Sequence, residues 1–222
     1  MYRSHSSLGC LLAILLVSAI FSQGCSAGIP GSGTLKTDRR TPGEFKAITL
    51  SGAYTVIIEP GQADHAVTIT TDDNLVDLIK TEMADGALKI FNESSINPTK
   101  GVEVKISLKE LVAMDISGAG RIEAKNLSGP SLKLSISGAA DFHGDGTVDA
   151  FEVKLSGAGN IKARDLKAKS VSITLSGAGN AEVFASESLT PKISGVGNIE
   201  YYGNPPKIEP SISGIGKLTK KD

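Results

Sequence analysis

From about Phe45 onward the chain alternates apolar and polar residues in short runs, and the runs recur at a nearly fixed spacing. Ser-Gly pairs open at Ser117, Ser137, Ser156, Ser176, Ser194 and Ser213, at separations of 20, 19, 20, 18 and 19 residues, with an earlier copy at Ser51. Stacked on that Ser, the preceding residue is Ile116, Ile136, Leu155, Leu175, Ile193 or Ile212. Three before it stand Met114, Leu134, Val153, Ile173, Pro191 and Pro210, and five before it Val112, Leu132, Phe151, Val171, Leu189 and Ile208. The residues between, such as Asp115, Ser135, Lys154, Thr174, Lys192 and Ser211, are polar or charged. A period of two means strands with one buried face. Five residues after the Ser, Ile122, Phe142, Ile161, Ala181, Ile199 and Leu218 form another inward column. Each repeat therefore predicts two strands separated by a Gly-rich corner.

Two architectures suit this pattern: a parallel β-solenoid, with like residues stacked on like, and an antiparallel meander with Ser-Gly-Ala-Gly-Asn as its hairpin loop. Identity of register favours the first, an all-β, single-domain β-helix with coils of about 18–20 residues. Asn160, Asn180 and Asn198 share a column whose amides can bond along a ladder. Gly118, Gly138, Gly157, Gly177, Gly195 and Gly214 share another and are expected as structural corners with positive φ. A leucine-rich repeat lacks its spacing here, and a membrane barrel lacks a lipid-facing apolar column. Between Gly61 and Leu111 the signature lapses, yet Val67–Thr70, Ile79–Met83, Leu88–Ile90 and Val102–Ile106 keep strand character, so the stretch reads as degenerate coils. Residues 44–222 are the predicted solenoid domain. Residues 25–43, rich in breakers such as Gly28, Pro30, Gly31, Gly33, Pro42 and Gly43, read as a flexible tether.

Composition adds little to the fold but excludes a partner. Lys+Arg 23 against Asp+Glu 24 in 222 residues, with no basic run, offers no footprint for nucleic acid. The first residues change the picture more: Arg3 followed by the apolar run Leu11–Phe21 makes residues 1–24 a signal peptide of lipoprotein type. Ser22-Gln23-Gly24-Cys25-Ser26 resembles the bacterial lipoprotein signal, with Cys25 as the lipidation site and membrane attachment through that anchor. Ser22 replaces the usual Leu, and plain cleavage after Ala27 is the alternative. Cys10, the only other Cys, lies inside the signal and leaves Cys25 unpartnered. With Ser26 rather than Asp after the Cys, that resemblance implies an outer-membrane lipoprotein of a Gram-negative cell; a protein free in the periplasm or at the cell surface is the other address.

The opening Phe45-Lys46-Ala47-Ile48-Thr49-Leu50-Ser51-Gly52, the segment Gly86-Ala87-Leu88-Lys89-Ile90 and the serial Ser-Gly-Ala-Gly corners resemble the bacterial head GIN domain, a family named as auto-transporter adhesins by analogy. The resemblance runs from Phe45 to Leu218 and implies a right-handed β-helix in an exported envelope protein. It carries over no catalytic residues.

The chemistry-bearing candidates are few. Gly157-Ala158-Gly159-Asn160 has no Lys-Ser or Lys-Thr after it, so it is no phosphate cradle. A calcium β-roll needs a recurring Asp, whereas the column reads Arg121, Asp141, Asn160, Asn180, Asn198 and Lys217. No metal or cofactor is expected. Alternation would put Asp141, His143 and Asp145 on one outward face, where two carboxylates and an imidazole could bind metal or move protons, but the cluster occurs once and stands only as a weak catalytic candidate. Tyr201-Tyr202 offers one exposed ring, and no longer column of outward aromatics is expected. The functional expectation is a non-catalytic binding, adhesion or scaffolding module contacting an envelope polymer or protein. A polysaccharide-active β-helix enzyme is the alternative.

Overall fold

The computed structural model describes residues 28–222, so the expected signal peptide, Cys10 and the expected lipidation site Cys25 lie outside the described residues. Two strands form at the start, β1 (Ile29–Pro30) and β2 (Leu35–Arg40). Next come β3 (Ala47–Ser51), β4 (Ala53–Pro60), β5 (Ala66–Asp72), one 3-10 turn at Val76–Leu78, β6 (Ile79–Ala84), β7 (Ala87–Asn92), β8 (Ile96–Asn97), β9 (Glu103–Leu108) and β10 (Ala113–Ile116). The repeats supply β11 (Ala119–Ile136), β12 (Ala139–Leu155), β13 (Ala158–Leu175) and β14 (Ala178–Ile193), then β15 (Ile199–Tyr202), β16 (Lys207–Ile208), β17 (Ser211–Ile212) and β18 (Leu218–Lys220). Among the described residues no helix is long and apolar enough to cross a membrane.

From β10 onward the strands pair in parallel, coil on coil, so the architecture is the β-solenoid and not the antiparallel meander. The sequence columns are physical ones: Ile116, Ile136, Leu155, Leu175, Ile193 and Ile212 pair in succession, as do Ile122, Phe142, Ile161, Ala181, Ile199 and Leu218. All but the terminal Ile212 and Leu218 are buried. Each buried Ile or Leu contributes roughly 1.5–3 kcal/mol, and stacking like on like leaves no gap between coils. The two strands predicted per repeat merge, because the second strand of one repeat runs into the first of the next. Register shifts bend them, between Ala124 and Leu127 in β11, between His143 and Asp145 in β12, and between Ala163 and Lys167 and again between Ala168 and Ser170 in β13.

The corner glycines are required for a different reason than expected. A Cβ at Gly118, Gly138, Gly157 or Gly177 would overlap the carbonyl oxygen of the glycine one coil earlier, and none of the four has a left-handed φ. The positive φ falls instead on the second glycine of the signature, 134° at Gly120, 145° at Gly159 and 153° at Gly197. Close stacking of corners, rather than torsional freedom, selects the first glycine.

The stretch read as degenerate sequential coils is built otherwise. β7 and β9 do form a coil, but it lies on the far side of β3 and β4, which are sandwiched between it and the coil made by β10 and β11. β5 and β6 are antiparallel, to β9 and β7 respectively, and close that end of the stack. The described part of the expected tether, from Gly28 on, is not free either. β1 pairs with β8, and β2 lies antiparallel to β5 from Leu35↔Asp72 to Arg40↔Val67. Its sequence, Leu-Lys-Thr-Asp-Arg-Arg, is polar because it is an outer strand wetted on both faces, which leaves no apolar period to read. Two side chains lock it. Asp72, with no exposed area, accepts from Gly33 N at 2.7 Å, Thr99 N at 2.8 Å and Thr99 Oγ1 at 2.7 Å. Arg40 donates through Nη2 to Val76 O at 3.0 Å and through Nη1 to Ile79 O.

Candidate functional site: the amide ladder and its groove

The outward positions of the first half of each coil form two polar columns. One runs Arg121, Asp141, Asn160, Asn180, Asn198, Lys217; its neighbour runs Glu123, His143, Lys162, Glu182, Glu200, Thr219. The first is a directed hydrogen-bond chain. Asn160 donates from N and Nδ2 to Asp141 Oδ1 at 2.9 and 3.0 Å, and Asn180 Nδ2 donates to Asn160 Oδ1 at 3.3 Å. Asn198 donates from N and Nδ2 to Asn180 Oδ1 at 3.1 and 3.3 Å, and Lys217 N donates to Asn198 Oδ1 at 3.1 Å. Every bond points back toward Asp141. Each amide nitrogen spends one N–H on the ladder and keeps one for a ligand.

Two grooves follow one another between these columns, and a third lies on the corner side of the amide column. One of about 380 Å³ is lined by Arg121, Glu123, Asp141, Phe142, His143, Asn160 and Lys162. The next, of about 270 Å³, shares Asn160 and Lys162 and continues to Asn198 and Glu200. The last, of about 630 Å³, reaches Val196, Ile215 and Lys217. The polar side chains along them are exposed or half-buried, so this is an open track rather than a closed pocket.

Asp141 and His143 line the same groove, but Asp145 does not join them. Its Oδ1 accepts from Asn126 N at 2.7 Å and pins the bend of the adjacent strand, where Asn126 takes a φ of 53°. Asp141 is likewise committed to the Asn160 donors. His143 is exposed, with Glu123 and Lys162 as its register neighbours. Among the described residues no three His, Cys, Asp or Glu side chains gather as metal ligands. Arg121, in register with Asp141, opposes a cation there. Arg121 was read from the sequence only as a member of the column that lacks a recurring Asp, and Glu123 and Lys162 were not singled out, although counting from the same Ser that aligned the apolar columns places all three in the groove.

A second outward feature departs from the expectation of no aromatic column. Phe184 and Tyr202 are register partners, with Lys167 Nζ 4.2 Å from the Phe184 ring centre and the Arg164 guanidinium 5.8 Å from that of Tyr202. Each ring thus has a cation over one face, where it would compete with a stacking sugar. Tyr201 packs against the core. His65 stacks edge-on against Phe45 at 5.1 Å and accepts from Phe45 N at 3.2 Å, a packing role.

A family model described as "Putative auto-transporter adhesin, head GIN domain" matches residues 44–205. Among solved structures, a "putative adhesin" from Bacteroides fragilis NCTC 9343 is similar at 24% identity and a TM-score of 0.69, over 87% of this chain and 100% of that one. A "putative adhesin" and a "Putative lipid binding protein", both from Parabacteroides distasonis ATCC 8503, are similar at 21% and 24% identity with TM-scores of 0.54 and 0.52. Each pairing covers 87% of this chain and 99% of the other. At these identities the likeness concerns the fold. No curated protein matches the chain.

Proposed function

The chain belongs to the head GIN domain family, and from that premise we propose that it is a non-catalytic adhesion module of the bacterial envelope, binding an extended polymer or protein segment along the amide ladder. It is carried at the outer membrane by a lipid on Cys25. The observation that bears this reading is the ladder from Asp141 to Lys217, whose spare amide N–H groups repeat once per coil along an open track. Successive coils present them at about 4.8 Å, which makes an evenly spaced row of donors along an extended ligand. The family's description as an adhesin supports the same role, and the engagement of Asp141 and Asp145 by backbone N–H groups supports a non-catalytic one.

The test is retention of purified protein on envelope fractions. Charge reversal in the groove, Arg121→Glu with Lys162→Glu, is expected to lower retention several-fold while circular dichroism stays unchanged. Retention unchanged by both substitutions removes the groove from the reading. Turnover of an envelope polysaccharide that disappears in Asp141→Asn and in His143→Ala, with the fold intact, would replace it with the enzyme.

A further inference from the structure

We propose that the capped end of the solenoid, around Ile29, Leu35 and Ser95, is a membrane-apposed face that holds the module's long axis away from the bilayer. The inference rests on the lipid anchor at Cys25 and deepens it by assigning which end of the molecule meets the lipid surface. A long flexible tether would have left that orientation free, and the docked arm leaves at most the three residues before Gly28 to act as one.

The chain is bound to the cap from its first described residues. Ile29 N donates to Ser95 O at 2.8 Å and Gly31 N to Asn97 O at 3.0 Å. Ser32 N donates to Asn74 Oδ1 at 2.9 Å, Asn74 Nδ2 returns a bond to Pro30 O at 2.8 Å, and Gly33 is held by buried Asp72. Three residue steps separate Cys25 from Gly28, and three steps of extended chain span at most about 11 Å. An acyl chain on Cys25 therefore keeps Gly28 within about that distance of the lipid headgroups, with the start of β1 and its neighbour Ser95 next to it.

The surface at this end suits such a neighbour. Ile29, Leu35 and Met83, exposed by 41%, 46% and 39%, are all on strands of the cap. Met83 is the register partner of fully buried Leu88, an inward position left open because no coil lies beyond it. Exposed charges here are of both signs, Lys36, Arg39 and Lys100 with Asp73, Asp77 and Glu93, so the contact does not depend on anionic lipid. The opposite end is distant. Seven strand spacings lead from β9 through β4, β11, β12, β13, β14 and β15 to β18, about 34 Å at 4.8 Å each. The amide ladder runs along that length, so its Asp141 end lies nearer the membrane and its Lys217 end projects outward.

The experiment uses the full lipidated chain in phosphatidylcholine vesicles doped with a nitroxide-headgroup lipid. In the anchored protein Cys25 is blocked by its lipid, so Ser95→Cys and Thr219→Cys each give one fluorophore site on an exposed position. The expected result is several-fold stronger quenching at position 95 than at 219, and loss of that difference when a long Gly/Ser spacer is inserted between Ala27 and Gly28. Acylated, vesicle-bound protein with equal quenching at the two positions overturns the orientation and leaves the anchor standing. A mature chain that begins at Gly28 without acyl mass and does not sediment with vesicles overturns the anchor, and the orientation with it.

Discussion

At Gly157 a single hydrogen occupies space that any Cβ would contest with the Gly138 carbonyl, and Gly177 repeats the relation with Gly157. Relief would require two coils to part, which backbone pairing on both sides resists. Gly157→Val is therefore expected to lower stability by about 3 kcal/mol or more, read from a denaturant midpoint. Lys169→Ala, which removes only an exposed ion pair with Asp149, should stay within about 0.5 kcal/mol. Asp72 makes a pH prediction. The Thr99 hydroxyl, with the backbone N–H groups of Thr99 and Gly33, holds its carboxyl below the usual range although burial pushes the other way. A depressed folded value means the stabilisation is fully present above the unfolded carboxyl value of about 3.9 and is lost as pH falls through the lower folded one. Hydrogen-exchange protection of the Gly33 and Thr99 amides should thus collapse in acid below about pH 4, before that of the solenoid core. In Asp72→Ala it should already be weak at neutral pH.

Among the elements, the ladder is the one whose parts depend on each other. Asn180→Ala removes the acceptor for Asn198 N and Nδ2 and the donor to Asn160. Water can reach this exposed column, so the expected loss is about 1 kcal/mol rather than the larger penalty of a buried orphan. A double-mutant cycle between Asn160→Ala and Asn180→Ala should show a coupling of about 0.5 kcal/mol or more, and strict additivity would mean that the amides do not act as one chain. This column was legible in the sequence because the Asn residues recur at the same offset from the corner Ser. Gly144 and Gly146 marked an irregularity beside Asp145, but the partner of Asp145 was not legible. Its role comes from an N–H one coil away at Asn126, and no local pattern marks that pairing.

For the whole molecule, the two ends of the stack are unlike. Antiparallel β5 and β6 close one end, and β2 covers the outer edge of β5. A chain starting at Glu44 would lose β1, β2 and the Arg40 bonds to Val76 and Ile79, and would bare the β5 edge. It is expected to melt about 5 °C lower or more and to associate with concentration, measured by calorimetry and light scattering. A segment that only tethered would leave both unchanged.

What the sequence by itself determined is everything that repeats. The period-two alternation, the Ser-Gly spacing and the matched apolar columns identify parallel strands and their register, because each coil must offer its neighbour the same inward face. Only the tertiary structure decided what happens once. The threading of β3 and β4 between the coils of β9 and β11 is a long-range choice with no period to betray it. The docking of Leu35–Arg40 rests on edge hydrogen bonds and on a carboxylate at Asp72 that meets Thr99 across the fold. The corner glycines show the division at one position. Their recurrence was plain in the sequence, but whether torsion or contact required them depended on how closely the Gly138 carbonyl approaches Gly157, a distance that exists only after the coils stack.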